Sequence, residues 1–418
     1  MNTQKQKPVQ GGQPAQGGQP VQGGQPTQGG HPAQAGHASQ AEQPVLCIIG
    51  DSSARLWGMS PFERLQKQFT RQGITTTVSV QEASGHAGPV IFVRGDTVID
   101  TPLIPVLANG NKLALLLEEK DGCRPVAVCI NGGQALNVAA IFAGDLDIKT
   151  LDVSASAASQ LGTAFWGELR KKEIPYVAEV SETDNQALEW RMFMGTYKGA
   201  TDFVTKHAWP RPAFYVTRAI APTAITPNMV TLLSGLMVVA AYFLFANGHY
   251  GWGVCVAWFM TFLDTVDGKL ARTTLTSSYW GGHFDHGIDL LHPPFWYYAW
   301  GVGLSASGFG WSEPFLWSIM AIILAGYVVQ RLIELVGKLI LGYHIHVWRP
   351  VDTMFRQITA RRNPNLFVLM IFAMIGRPDW GLIAVVVWIL ISLVLHMVQI
   401  IQLVLVKRAG QSLKSWMD

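Results

Sequence analysis

Charge is scarce in this chain. Of 418 residues, 14% are Asp, Glu, Lys or Arg and 49% are hydrophobic, whereas soluble proteins carry about 25% charged residues. A wholly soluble globule is therefore excluded. The net charge of +3 is too small to point to nucleic acid. Cysteine is scarce too: Cys47, Cys123, Cys129 and Cys255 show no C-x-x-C spacing, and one lies in an apolar run. They read as reduced, buried thiols rather than a disulfide framework. No apolar segment follows the first lysines, so no signal peptide is expected.

The N-terminal stretch lacks large apolar residues. Residues 8–43 repeat the unit QGGQPA, QGGQPV, QGGQPT, QGGHPA and a decayed QAGHAS. Such a composition buries too little surface to offset chain entropy, so residues 1–44 are expected to be a disordered tail. A weak metal-binding role for His31 and His37 is the alternative reading.

Order is expected from Val45. "VLCIIG", "TTTVSV", "PVIFV", "KLALLL" and "RPVAVCI" read as strands. "SPFERLQKQFTRQG" reads as a helix with Ser60 as N-cap, Pro61 at the first position and Gly73 as stop. "GQALNVAAIFAG" reads as another helix. The alternation predicts a small soluble α/β domain over 45–185. Residues 186–228 follow as amphipathic juxtamembrane helices carrying Arg191, Lys198, Lys206, Arg211 and Arg218.

Long apolar runs dominate residues 229–406, at about 229–247, 251–267, 286–305, 314–341, 364–376 and 381–406. Spans need about 20 residues, so the expectation is a polytopic α-helical membrane domain, a six-helix bundle. A short tail, 407–418, follows. Basic residues concentrate on one side: Lys269 and Arg272, Arg349 to Arg362, and Lys407, Arg408 and Lys414. The positive-inside rule then puts both termini and the site in the cytoplasm, in an inner (cytoplasmic) membrane.

"FLDTVDGKLARTTLTSSYWGGHFDHGIDLLH", residues 262–292, sets four aspartates between apolar runs. Asp264 and Asp267 are three apart at the end of one helix. Asp285 and Asp289 are four apart at the start of the next, so each pair shares a face. Two antiparallel helices joined by a basic loop of about one and a half dozen residues would gather all four. Such a cluster calls for hard divalent cations, Mg²⁺, Mn²⁺ or Ca²⁺, and has room for two. Gly268 and Gly281 permit close approach of a ligand, and Arg272 offers a fork for phosphate. Other readings stay open: aspartates paired with Lys269 and Arg272 as loop charges, a cation transporter, or a zinc site using His283, His286 and His292. The nearby Trp280, Phe295, Trp296, Tyr297, Tyr298 and Trp300 read as an interfacial belt.

These residues match D-x2-D-G-x2-A-R-x8-G-x3-D-x3-D at every fixed position: Asp264, Asp267, Gly268, Ala271, Arg272, Gly281, Asp285 and Asp289. The pattern resembles the signature of the CDP-alcohol phosphotransferases (CDP-alcohol phosphatidyltransferases), and "TPNMVT" at Thr226–Thr231 is similar to that family as well. The resemblance spans about residues 186–406. It implies transfer of a substituted phosphate from a CDP-linked donor to an alcohol with release of CMP, in phospholipid or inositol-phosphate synthesis. It implies that Asp264, Asp267, Asp285 and Asp289 surround two divalent cations, Mg²⁺ or Mn²⁺. Asp289 is implied as general base, and Gly268, Ala271, Arg272 and Gly281 as the CDP site. Membrane lipid and a homodimer are further expected partners.

The fourth run adds Arg331, Glu334 and Lys338 on one helical face. Arg331 and Lys338, with Arg356, Arg361 and Arg362, are the candidate acceptor site; the alternatives pair Glu334 with Arg331 and Lys338, and set Arg356, Arg361 and Arg362 against anionic lipid head groups. In the soluble domain, "IIGDSSARLWGMSPFERL" and "VRGDTVID" resemble pieces of sugar nucleotidyltransferases at Arg55, Leu56, Gly95 and Asp96. Asp51 and Ser53, however, replace the loop glycines that would let phosphates approach, which favours a degenerate domain for docking. Domains of this type occur beside CDP-alcohol phosphotransferases that use inositol phosphate. A bifunctional enzyme that makes its own CDP-alcohol and a non-enzymatic cation-binding or transport protein remain the rival functions.

Overall fold

The computed structural model describes residues 44–417 except 111, 121, 162–163 and 167–168, and leaves the side chains of 162–168 and 285 aside. The repeat tail with His31 and His37 lies outside the described residues.

Among the described residues nine strands are formed: β1 Val45–Ile49, β2 Pro89–Arg94, β3 Thr97–Ile99, β4 Leu113–Glu119, β5 Gly122–Asn131, β6 Ser154–Ala157, β7 Ala164–Trp166, β8 Lys171–Glu173 and β9 Val177–Glu179. A five-stranded sheet has the order β1-β2-β5-β4-β6. Its β1–β2 and β4–β6 pairs are parallel, and its inner pairs antiparallel. Helices α1 Pro61–Arg71, α2 Val80–Ser84, α3 Leu103–Asn109 and α4 Ala135–Ala143 accompany it. Leu46, Phe69, Ile91 and Leu115 are buried in one apolar cluster, and Phe92, Val128 and Val138 in another. This is the expected α/β layering.

The helix signals in α1 act as read. Ser60 Oγ accepts from Glu63 N at 3.1 Å, Ser60 N donates to Glu63 Oε2 at 2.9 Å, and Gly73 adopts φ +88°. "TTTVSV" does not form a strand. It makes one isolated bridge, Leu46 to Thr77. Ser79 instead caps α2, accepting from Glu82 N while Glu82 returns a bond to Ser79 N. All four cysteines are free, but only Cys47 and Cys129 are buried; Cys123 and Cys255 are exposed.

Next come α5 Gln186–Gly195, α6 Phe203–His207 and α7 Pro210–Ile220. The apolar region follows as α8 Pro227–Ala246, α9 Tyr250–Thr273, α10 Tyr279–Gly303, α11 Glu313–Leu341, α12 Pro350–Arg356, α13 Arg362–Met374 and α14 Pro378–Arg408. Six of these seven coincide with the six apolar runs. Among the described residues, α8, α11 and α14 are long and apolar enough to cross a membrane. Leu236, Phe243, Leu335, Leu339, Leu390 and Val394 on them are exposed, as lipid-facing residues should be. α9 and α10 carry the aspartates, and the 13-residue α13 is only about 20 Å long at 1.5 Å per residue.

Two of the predicted boundaries move. α9 continues to Thr273 and α10 begins at Tyr279, so only residues 274–278 join the helices. Gly268, Ala271 and Arg272 thus lie on a helix, not in a long loop. Both aspartate helices pack mainly on α8.

The α/β domain is joined to these helices by a shared core. Trp57, Tyr176, Phe193, Phe214, Val230 and Val266 belong to one apolar cluster. Arg64 of α1 donates to Thr273 O at 2.6 Å, and Arg71 to Leu275 O at 2.8 Å. Helix α1 thereby grips the segment that connects the two aspartate helices.

Candidate active site

The site begins at the N-terminus of α8. Thr226 caps that helix, and Pro227 sits where no intrahelical donor is needed. One turn on, the Thr231 hydroxyl lies 2.6 Å from Asp267 Oδ2 and 3.1 Å from Pro227 O; its shorter bond is the donation to Asp267. Asp267 Oδ1 is buried without a hydrogen-bond partner. A buried carboxylate oxygen is costly to leave unpaired, and a bound cation would satisfy it.

Arg362, the first residue of α13, reaches across. Its Nη2 donates to Asp264 Oδ2 at 2.7 Å, and its Nη1 to Asp289 Oδ1. Arg362, expected in the acceptor pocket, lines the cavity beside these aspartates and also joins carboxylates of α9 and α10. The three carboxylates Asp264, Asp267 and Asp289 thus sit in one neighbourhood. The Asp285 side chain lies outside the described residues.

A cavity of about 260 Å³ opens beside them. Asp264, Gly268, Arg272, His286 and Asp289 line it together with Arg331, Arg356, Arg361 and Arg362. Arg170, Lys198 and Lys269 complete the wall. Arg356 is buried, and its Nε and Nη1 have no partner; burial and repulsion from Arg361 push its pKa down. An excess of guanidinium and ammonium groups around an enclosed space is a site for a multiply charged anion.

Glu334 anchors two of these arginines. Its Oε2 accepts from Arg331 at 3.0 Å and from Arg361. Its Oε1 faces His346 Nε2 at 3.3 Å and His396 Nε2 at 4.0 Å, both rings fully buried. The three ligand atoms lie within 4.8 Å of one another, but two guanidiniums already neutralise the carboxylate. The trio reads as a brace that holds Arg331 and Arg361 toward the cavity.

Several expected residues fall elsewhere. Lys338 is exposed and absent from the cavity wall. Seven residues after Arg331 it shares that helical face, but stands about 10 Å further along the axis. Glu334 pairs with Arg361 in place of Lys338. Ala271 does not line the cavity; its carbonyl accepts from Thr276 N at 2.9 Å and closes the α9 end. Gly281 does not line it either. A Cβ there would meet Ser278 Oγ at 2.9 Å and Asn228 Oδ1 at 3.1 Å, so its small size serves helix packing. Lys269 donates to Thr196 O at 3.1 Å, which removes it from any pairing with the aspartates. The proposed histidine cluster also disperses. His283 and His292 bond the Tyr279 and Ile288 carbonyls of their own helix, and only His286 lines the cavity.

Sequence reasoning missed Thr231, the histidines behind Glu334, and Arg170. "TPNMVT" carried a signal for the first. Nothing local in sequence ties Arg170 to residues about 160–190 positions later.

A second, wider cavity of about 550 Å³ lies between α8 and α10, lined by Val238, Val239, Phe284, Ile288, Leu291 and Phe295 among others. It is apolar, and Ile288 is the immediate neighbour of Asp289.

In the soluble domain, Asp96 is held by Arg94 through Nε at 3.0 Å and Nη2 at 2.5 Å. A Cβ on Gly95 would fall 2.1 Å from Gly50 O, so this glycine is explained by packing. Past Leu56 the chain turns inward. Trp57, at φ +54° and 2% exposed, stacks on Phe193 and meets Phe214 edge-on.

Comparison with known proteins bears on the helical part. Residues 224–360 match the family model of the CDP-alcohol phosphatidyltransferases. A phosphatidylinositol phosphate synthase of Streptomyces avermitilis is 34% identical over 93 residues, 22% of this chain and 36% of that protein. A bifunctional IPC transferase and DIPP synthase of Rubrobacter xylanophilus is 25% identical over 237 residues, 52% of this chain and 50% of that protein. The chain thus spans about a third to a half of these relatives. A crystal structure of Mycobacterium tuberculosis phosphatidylinositol phosphate synthase with CDP-DAG bound aligns with a TM-score of 0.37 at 19% identity, covering 46% of this chain and 94% of that one. Another structure of that synthase is in complex with manganese and citrate.

Proposed function

From the premise that residues 224–360 belong to the CDP-alcohol phosphatidyltransferase family, we propose a membrane transferase that moves a lipid-linked phosphate from a CDP-lipid to a phosphorylated polyol, releasing CMP. The observation that carries this reading is one cavity lined by both Asp264 and Asp289 and by Arg331, Arg356, Arg361 and Arg362. The carboxylates suit cation-bridged diphosphate. The arginines suit a second phosphate, that of the acceptor. The relatives named phosphatidylinositol phosphate synthase make an inositol phosphate the first acceptor to test. The apolar cavity beside Asp289 suits the donor's acyl chains.

The donor set fits hard divalent ions: oxygen ligands only, with Asp267 Oδ1 buried and unpartnered. Asp264, Asp267, Asp285 and Asp289 would hold two such ions, Mg²⁺ or Mn²⁺, which neutralise the diphosphate and the leaving CMP. Thr231 holds Asp267 in register. Asp289 takes the proton from the acceptor hydroxyl as its oxygen bonds the donor's β-phosphorus and the bond to CMP breaks. Arg362 gives up its bonds to Asp264 and Asp289 as substrate and ions enter, and turns its charge to phosphate. Gly268 leaves room beside Arg272, whose guanidinium reaches within 3.0 Å of where a Cβ would stand.

The soluble domain docks rather than catalyses in this reading. Asp96 is committed to Arg94, and the segment after β1 is folded into the core shared with α5 and α7. Both termini and the site face the cytoplasm, where CDP-linked donors and polyol phosphates meet the membrane.

The test is CMP release by the purified full chain with CDP-diacylglycerol, comparing inositol 1-phosphate with inositol, glycerol 3-phosphate and serine. Turnover should require a phosphate on the acceptor and a divalent ion, and Arg331→Gln should raise the acceptor KM about tenfold or more. Equal turnover with phosphorylated and unphosphorylated acceptors would overturn the reading.

A further inference from the structure

The cavity is not built by the helical region alone. Arg170 belongs to the α/β domain, in the turn before β8, yet it lines the cavity with Arg331, Arg356 and Arg361. Its backbone is at φ +50°, a left-handed conformation that costs a non-glycine residue of order 1 kcal/mol or more. Such strain persists only where the surroundings impose it.

Here they do. Gly199 N donates to Leu169 O at 2.8 Å, and Lys171 Nζ donates to Gly195 O at 2.5 Å, so the residues on either side of Arg170 are tied to the end of α5 and the segment that follows it. A Cβ on Gly199 would stand 2.4 Å from Arg170 O; only glycine allows this approach. The Arg170 Nε is buried and makes no hydrogen bond. Burial and the nearby Arg361 push the guanidinium down to about 10, so it stays charged at neutral pH.

A strained, half-buried guanidinium with an unpartnered Nε, lining a cavity with other guanidiniums, is poorly rewarded by the chain itself. The nearby Glu334 carboxylate is already bonded to Arg331 and Arg361, so an anion in the cavity would supply the charge that this group of arginines lacks. Resting on the acceptor reading above, we propose that the α/β domain completes the acceptor pocket, with Arg170 binding the phosphate of the acceptor. The domain would then determine specificity for a phosphorylated acceptor in addition to docking.

The test uses the full chain, CDP-diacylglycerol and inositol 1-phosphate, with CMP release as readout and thermal melting as a folding control. Arg170→Gln should raise the acceptor KM at least tenfold while donor KM and kcat stay within about twofold. Gly199→Ala, which displaces the Arg170 backbone, should raise the acceptor KM in the same direction. Arg170→Lys should fall between Arg170→Gln and the natural chain. If Arg170→Gln leaves the acceptor KM unchanged while Arg331→Gln raises it, the domain only docks and this inference is lost with the acceptor reading intact. If neither variant moves it, the acceptor reading itself fails. Should Arg170→Gln melt early, Gly199→Ala decides, and an unchanged acceptor KM there overturns the inference.

Discussion

The Thr231 hydroxyl donates to Asp267 Oδ2 across 2.6 Å, from the second turn of α8 to the cytoplasm-directed part of α9 in the proposed topology. Asp267 is buried, and its other oxygen has no partner. Outer-shell bonds of this kind set the orientation and basicity of a ligand, and their loss typically costs about 10–100-fold in metal affinity. Thr231→Val keeps the shape and deletes the donor. It should raise the Mn²⁺ concentration needed for half-maximal CMP release about tenfold or more, with turnover recovered at saturating Mn²⁺. An unchanged metal requirement would detach Thr231 from the ion site.

Asp289 stands apart from Asp264 in its surroundings. Its side chain is about a third exposed and touches Arg362, whereas that of Asp264 is half as exposed. A general base must reach the entering hydroxyl, and general-base catalysis contributes about 10²–10⁴-fold. Asp289→Asn should lower kcat at least 100-fold while CDP-diacylglycerol binding changes little. Asp285→Asn and excess chelator should each abolish CMP release without changing membrane insertion. Near-normal kcat in Asp289→Asn would remove it as the base.

Much of this site was legible because its chemistry is crowded into 26 residues. The spacing of Asp264, Asp267, Asp285 and Asp289 specifies faces, and helical periodicity does the rest. The apolar runs located the helices, and Ser60 and Pro61 announced α1. Failures came where a distant partner decides. α9 runs through Gly268 to Thr273 because Arg64 and Arg71 of α1 engage the residues that end it, a contact between positions about 200 apart. Residues 75–79 have strand-forming composition, but the Ser79–Glu82 box claims their end for a helix. Arg362 read as part of the acceptor pocket; only the folded chain shows it between two carboxylates. Lys338 failed for a simpler reason, since a shared face does not mean a shared level along a helix.

The grip of α1 on the α9–α10 connection should be measurable as stability. Arg64 is buried, and its Nη1 donates to Thr273 O at 2.6 Å. A hydrogen bond to a charged group contributes about 1.5–3 kcal/mol. Arg64→Ala should therefore destabilise the protein by roughly 2 kcal/mol, seen as a lower midpoint in thermal or denaturant unfolding in detergent. The metal concentration for half-maximal turnover should not move, because Arg64 touches no site residue. An unchanged midpoint would show that the two regions are held by their apolar core alone.

Asp100 gives the α/β domain a pH signature. Burial, and then the Glu173 carboxylate nearby, push its pKa up to about 6, against an ordinary value near 3.9. Between those values the folded chain binds the proton more tightly than the unfolded one. Stability from this group is thus fully present below about pH 4 and is lost as pH rises through about 6. At pH 7.5 the buried charge is a net cost, so Asp100→Asn, which keeps an oxygen to accept from Thr101 N, should stabilise the fold by about 1–2 kcal/mol. The gain should shrink as pH falls and vanish near pH 4. Melting midpoints of both proteins in detergent, followed from pH 4 to pH 8, check this. A constant difference across that range would show that Asp100 does not titrate in the interval, and that its effect comes from packing.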